Sequence, residues 1–245
     1  MQITYSMLTD KGGRRNNEDS VGTYELDNEY CFVLADGLGG HGRGEVASRL
    51  VVETTGEVFR KEGLSEYFMR EAFEISQETL MDKQMREDAY DELKTTLSII
   101  AIGKESIAYG HIGDSRIYMF QGKKLVSQTK DHSVPQMLVT IGEITEKEIR
   151  YHPDRSKLLH VMGAEWERPK YEIVENIDVT GGLSFLVCSD GFWEHIDEKQ
   201  MLNCLKKAGS VEEWISSMQK IVVDTGASLD KNMDNYSAIG IWIRD

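Results

Sequence analysis

The sequence predicts an α+β fold in which helices lie in layers on antiparallel sheets. Three observations carry that expectation. Strand-like runs follow one another across turns too short for a helical crossover, which makes neighbouring strands antiparallel. Helical periodicity is confined to two blocks, one after the first strands and one before the last strand. Helices grouped this way belong to layered α+β domains and not to alternating βαβ chains. Several strands, YCFVLA among them, are apolar without alternation and so read as buried throughout.

Taken in order, residues 3–9, 21–26 and 30–35 read as strands. From Gly44 to about Arg60, Val46, Leu50, Val51, Thr54 and Val58 recur at helical spacing. A second helix, from about Leu64 to Arg86, places Leu64, Phe68, Ala72, Ile75 and Thr79 on one stripe. Strands return at 95–102, 106–112 and 115–120, the last turning back as a hairpin into 123–128. All three prolines fall between Pro135 and Pro169. That polar stretch of short elements, about 130–170, reads as a flap laid over the scaffold and not as core. Strands at 171–177 and 183–188 follow, then helices starting at Asp197 and at Ser210, the latter with a Ser210/Glu213 capping box. Val211, Trp214, Ile215, Met218, Ile221 and Val222 form the buried stripe of the final helix, and a strand at 236–243 closes the pattern.

The 245 residues carry 28 Lys plus Arg against 42 Asp plus Glu, a formal charge of −14. With 40% apolar and 29% charged residues the chain is globular and not disordered. One domain, 1–245, is the expectation, because sheet-rich domains commonly reach this size. The acidic balance and the lack of a Lys/Arg-dense stretch argue against nucleic acid and against an anionic membrane surface. No apolar run approaches the roughly 20 residues a bilayer needs. MQITYSMLTDKGG is no signal peptide. Cys31, Cys188 and Cys204 show neither disulfide nor zinc spacing, so a reduced, cytoplasmic chain is expected.

One pattern carries chemistry: an apolar strand runs into an aspartate. FVLADG ends at Asp36, YGHIGDS at Asp114 and FLVCSDG at Asp190, while Asp234 stands just before the last strand. Taken singly, each also fits a turn, since Asp-Gly is a common hairpin signal. Together, carboxylates buried at strand ends cost several kcal/mol unless a cation compensates them, so four of them favour a shared cation site. All-oxygen ligation selects Mg²⁺ or Mn²⁺ over zinc. Two such ions about 3.5–4 Å apart can hold a bridging water and aim it at phosphorus. The glycines after Asp36 would let backbone carbonyls approach a metal, or form a plain flexible loop; the GxxxxGK[ST] order of a P-loop is absent. RRNNEDS, residues 14–20, is a second polar cluster that fits either a charged turn or a phosphate and water site.

The ordered set RRNNEDS, ADGLGGHGRGEVAS, TTLSIIAI, YGHIGDSRIYMF, FLVCSDGFWEHI and MDNYSAIGI resembles the metal-dependent protein Ser/Thr phosphatases, the PPM or type 2C family, in their bacterial branch. The resemblance runs from about Asp10 to Trp242. It implies a four-layer αββα sandwich and hydrolysis of phosphoserine and phosphothreonine in proteins by a water bridging two Mn²⁺ or Mg²⁺ ions. Asp36 matches the carboxylate shared by both ions, Gly37 a carbonyl ligand of the second, and Asp190 and Asp234 the remaining ligands of the first. Asp114 matches the ligand of a weaker third ion, with Asp190 shared. Glu18 and Asp19 match acids that hold water on the second ion, and Arg14 the phosphate-binding arginine. His41 matches the histidine of the bacterial GGH sequence, either a general acid or a residue ordering water.

Two departures stand out. Lys94 precedes Thr95-Thr96 where the family usually has Gly, and Ser156 stands where bacterial relatives often carry Asn. The first touches a strand entry and not a ligand, and the second lies in the flap, which bears on substrate access. The implied partners are phosphorylated Ser/Thr proteins, opposing a Ser/Thr kinase, with the chain a monomer. Alternatives are a silent metal- and phosphopeptide-binding module and a hydrolase of small phosphoesters. The other histidines, His111, His132, His152, His160 and His195, read as strand, flap or surface positions with no partner visible in the sequence.

Overall fold

A computed structural model describes residues 1–38, 42–122, 124–179, 181–229 and 232–244. Its strands are β1 (Gln2–Asp10), β2 (Asp19–Leu26), β3 (Glu29–Asp36), β4 (Leu97–Ile102), β5 (Ser106–Ile112), β6 (Arg116–Gln121), β7 (Lys124–Gln128), β8 (Glu172–Asp178), β9 (Leu183–Cys188) and β10 (Tyr236–Arg244). Its helices are α1 (Gly44–Glu62), α2 (Phe68–Glu87), α3 (Val134–Thr140), α4 (Glu146–Ile149), α5 (Asp190–Trp193), α6 (Glu198–Lys207) and α7 (Val211–Leu229). The strands form two five-stranded sheets, in the orders β1-β10-β9-β6-β7 and β2-β3-β4-β5-β8. Every pairing is antiparallel.

The alternation of side chains along each strand explains why whole runs are apolar. On β3, Cys31, Val33 and Ala35 face α1 and α2, while Phe32 and Leu34 point into the space between the sheets. β4 divides in the same way, with Leu97, Ile99 and Ala101 on the helix side and Ile100 and Ile102 between the sheets. In the other sheet, Ile239, Ile241 and Ile243 of β10 meet Phe185 and Val187 of β9 in that central layer. Their outward neighbours Ala238, Leu186 and Cys188 pack under Trp214, Met218 and Val222 of α7. Three apolar layers between four layers of secondary structure make the expected αββα sandwich. No helix among the described residues is long and apolar enough to cross a membrane.

Three local expectations need correction. The second helix begins at Phe68, not near Leu64, and its Ile75 is exposed. The buried face includes polar residues, Ser76, Gln77 and Gln84, which hid it from a count of apolar positions. Those amides are used: Gln77 bonds the Gly163 N–H and the Ala164 carbonyl, and Gln84 donates to the carbonyls of Leu93 and Gly163. The 130–170 segment is therefore stitched into the scaffold at its far end. It also contributes to the cores, Met162 under α2 and Ile149 beside Trp193, so it is more than a cover. At α7, the Ser210 hydroxyl accepts the Glu213 N–H at 3.2 Å, but the Glu213 carboxylate reaches the Gly209 N–H at 2.7 Å. Reciprocal capping boxes form instead at α4, between Thr145 and Glu148, and at α6, between Asp197 and Gln200.

Candidate functional site

The ends of β3 and β9, the loop after β1, and the residues before β10 converge on a cavity of about 800 Å³. Its lining includes Arg14, Arg15, Glu18, Asp36, Gly37, Asp114, Asp190, Asp234 and Asn235. Eight of the nine residues singled out in sequence for the site, Asp19 included, are described. His41 lies outside the described residues. The structure brings these eight together around or directly behind the one cavity.

Asp36 is held from both sides of its peptide. Its N–H donates to Thr96 Oγ1 at 2.9 Å, and its carbonyl accepts from Thr95 Oγ1 at 2.8 Å and from the Thr96 N–H at 2.9 Å. The Thr-Thr pair thus fixes the strand end on which the carboxylate is carried. Gly37 follows in a tight crossing: a Cβ there would lie 2.3 Å from the Gly44 carbonyl oxygen, at the start of α1. Only glycine fits that approach. Asp19 sits opposite Asp36 in the β2–β3 register, two like charges facing across an antiparallel pair.

Asp190 opens the single turn of α5, with its carboxylate hydrogen-bonded to Asp36 and to the Gly191 N–H. Asp234 accepts from the Asn235 N–H at 2.8 Å and from Arg14 Nη2 at 2.9 Å. Asp114 follows Gly113, whose φ of +106° and contact with Thr96 leave little room for a side chain. The Asp114 carbonyl accepts the indole N–H of Trp193 at 2.9 Å.

The electrostatics of this cluster are those of acids with too few partners. Burial first, then the charges of Asp19, Asp190, Asp114 and Asp234, pushes the Asp36 carboxyl well above its usual range. Burial and Asp190 do the same to Asp114. Asp190 is pushed up to about 6, by burial and Asp234, against the hydrogen bond from Asp36. Asp19 reaches about 7 through burial, although hydrogen bonds from Ser237 and Ser189 oppose the rise. One of its oxygens, Oδ2, accepts from Ser189 Oγ at 2.8 Å, while the other, Oδ1, is buried without a partner. Glu18 is raised too, by burial, Glu45 and Asp234, with Arg14 acting the other way.

A buried, orphaned carboxylate oxygen and a ring of mutually repelling acids are the features that bound cations would satisfy. The donors are all oxygen, which suits hard ions. Among the described residues, no three of these acids bring one oxygen each within 4.8 Å of one another.

Sequence reasoning missed Asn235, although it adjoins Asp234. Its amide oxygen accepts the Glu18 N–H at 2.8 Å, and its NH₂ donates to the carbonyls of Lys11 and Asn16 at 2.8 and 2.9 Å. One side chain therefore holds the 11–18 loop against the start of β10. Trp193 and Ser189 were likewise passed over; their neighbours Asp190 and Gly191 were the available signal.

A four-layer α+β sandwich with an acid-ringed cavity at its strand ends is the class that this fold and site define. The chain belongs to the protein phosphatase 2C family, whose pattern matches residues 12–234. It is 30% identical over 214 residues to the serine/threonine phosphatase stp of Listeria welshimeri, covering 84% of each chain. It is 32% identical over 206 residues to the protein phosphatase PhpP of Streptococcus pneumoniae, covering 80% of this chain and 81% of that one. Among solved structures, the serine/threonine phosphatase Stp1 of Staphylococcus aureus superposes with a TM-score of 0.88 at 27% identity, over 100% of this chain and 96% of the other. The catalytic domain of the phosphatase PstP, solved with two manganese ions, superposes with a TM-score of 0.81 at 26% identity, over 99% of both chains.

Proposed function

We propose that this chain is a Mn²⁺- or Mg²⁺-dependent protein serine/threonine phosphatase, acting as one unit over residues 1–245. The observation that carries the reading is the convergence of Asp36, Asp114, Asp190 and Asp234 on a single cavity where, among the described residues, Arg14 is the only basic side chain ion-paired with any of them. Membership of the family and the two manganese ions of the PstP structure support it.

In this reading Asp36, Asp190 and Asp234 would hold one ion, and Asp36 with the Gly37 carbonyl would hold a second. Asp114, with Asp190, would hold a weaker third. When bound, the ions supply Lewis acidity that makes water a nucleophile near neutral pH and neutralises phosphate charge. Glu18 and Asp19 accept hydrogen bonds from water on the β2 side of the cavity. Arg14, tethered at the rim by Asp234, offers its remaining N–H donors to the phosphate oxygens. Attack by water on phosphorus releases inorganic phosphate and a serine or threonine alkoxide, which takes its proton from water or from His41. Positioning and charge stabilisation supply most of the rate enhancement in chemistry of this kind.

The substrates are phosphoproteins, and the opposing enzyme is a Ser/Thr kinase. We place the chain in the cytoplasm, as a monomer. The test is phosphate release from a phosphothreonine peptide in Mn²⁺, then with excess chelator, then with Asp36→Asn. Turnover should vanish with chelator and fall about 10³-fold or more in the variant. Chelator-resistant turnover, or a wild-type rate in Asp36→Asn, would overturn the reading. Hydrolysis of a small phosphoester without hydrolysis of the peptide would move the substrate class.

A further inference from the structure

Away from the cavity, the structure gathers histidines that the sequence leaves scattered. His111 on β5 faces Glu172 on β8 across the sheet pairing, and His132 comes in from the entrance of the 130–170 segment. A ring nitrogen from each histidine and an oxygen of Glu172 lie within 4.8 Å of one another. The His111 and His132 rings stack with centroids 4.7 Å apart, and His160, at the exit of the same segment, meets the His132 ring edge-on at 5.6 Å. Both ligand histidines are buried, whereas the Glu172 side chain is 64% exposed, so the cluster opens to solvent on its carboxylate side.

We propose that His111, His132 and Glu172 form a second cation site, distinct from the acid-ringed cavity and suited to a borderline divalent ion of the zinc class. Two imidazoles and one carboxylate are a known donor set for zinc with a coordination position left for water. They discriminate against Mg²⁺, which prefers oxygen alone. Neutral imidazole is the ligating form, and burial keeps both rings neutral. His132 is pushed down to about 3, by burial and then by His111 and His160, and burial also lowers His111. His111 Nε2 lies 2.8 Å from the Lys130 carbonyl, the kind of backbone contact that orients a metal-ligating ring and leaves its other nitrogen with a lone pair.

The site is wired to the cavity through a single glycine. The Gly113 N–H donates to His132 Nδ1 at 3.3 Å, and the His132 N–H donates to the Gly113 carbonyl at 2.9 Å. Accepting at Nδ1 puts the ring proton on Nε2, the nitrogen 3.7 Å from Glu172. Ligation through Nε2 moves that proton to Nδ1 and gives up the Gly113 contact. Gly113 immediately precedes Asp114, so an ion at the histidines loosens the turn that carries a cavity acid.

The experiment titrates the full chain with Co²⁺, whose visible absorption reports nitrogen ligation, with Mg²⁺ in large excess to occupy the cavity. The wild type and Asp36→Asn should both bind one Co²⁺ with that band, and Zn²⁺ should displace it. Glu172→Gln, at an exposed side chain, and His111→Asn should each weaken the binding by more than the roughly 10–100-fold that loss of an orienting partner costs. The proposal is overturned if the wild type shows no such band. It also fails if the band survives unchanged in Glu172→Gln, or if Asp36→Asn removes it.

Discussion

Asp114 and Arg116 are two residues apart, yet they feed two buried charge clusters of opposite construction. Arg116 is enclosed by partners: Asp131 grips its Nε and Nη2 at 2.8 and 2.7 Å, and its guanidinium stacks 3.5 Å above the Trp193 ring. Glu198 stands 4.0 Å from its Nη1 and also binds Arg150 at 3.0 Å. Asp114 faces the other way, into a cavity where its close charged neighbours are more acids. The contrast separates two uses of buried charge. A pair satisfied from within holds the fold, here clamping the 130–170 segment to β6 and α6. A set left unsatisfied is complete only when something from outside arrives.

Breaking the two clusters in parallel is the sharpest test of that contrast. Asp131→Ala leaves Arg116 buried without its main partner and should cost about 3–5 kcal/mol in urea unfolding. Asp36→Asn, measured the same way in chelator, should stabilise the protein, because Asn cannot take on the charge that burial and the neighbouring acids penalise at Asp36. If both substitutions destabilise the chelated protein, the cavity acids are structural and the contrast fails.

Acidity sharpens it further. A carboxyl whose folded pKa is raised is protonated more readily in the folded chain than in the unfolded one. It therefore contributes stability below the ordinary carboxylate range near 4, and that contribution is lost as pH rises through the folded value. With Asp190 at about 6 and both Asp19 and Glu194 at about 7, outweighing the opposite contribution of buried His132 and His111, the chelated protein should melt at a higher temperature near pH 5 than near pH 7.5. Saturating Mn²⁺ should shrink that difference in a thermal melt. A melting temperature independent of pH in chelator would contradict it.

The smallest expected effect concerns the residue that touches both clusters. Trp193→Phe keeps an aromatic face under Arg116 but deletes the hydrogen bond to the Asp114 carbonyl. About 1 kcal/mol of stability should go. The Mn²⁺ concentration giving half-maximal turnover should rise modestly, since the Asp114 turn is less firmly held. An unchanged Mn²⁺ dependence would uncouple Trp193 from the cavity.

How much of this was legible in the sequence follows from what local patterns can encode. The strand runs and the stripe of α7 were readable because alternation and 3.6-residue spacing are local, and the aspartates ending β3 and β9 stood out because an acid after an apolar run is anomalous. The buried face of α2 was not readable, because Gln77 and Gln84 are buried to satisfy the backbone of a segment some 80 residues away. Asn235 and the stacked histidines escaped for the same reason: their partners meet only when distant strands align. His111 and His132 looked unremarkable one at a time, and only the β5–β8 pairing and the path of the 130–170 segment bring them together.

β10, the final strand in chain order, runs between β1 and β9 in the interior of its sheet, with Gln2 paired to Arg244. On the ribosome, then, β1 has no hydrogen-bonding neighbour in that sheet, among the described strands, until the strands and helices between it and β10, and β10 itself, have been translated. Asp234 and Asn235 arrive with the same late strand, so a nascent chain halted before them displays an open sheet edge and an incomplete set of acids. Chaperone binding to such stalled chains, released once β10 is out, is how this order of assembly would show itself in a cell.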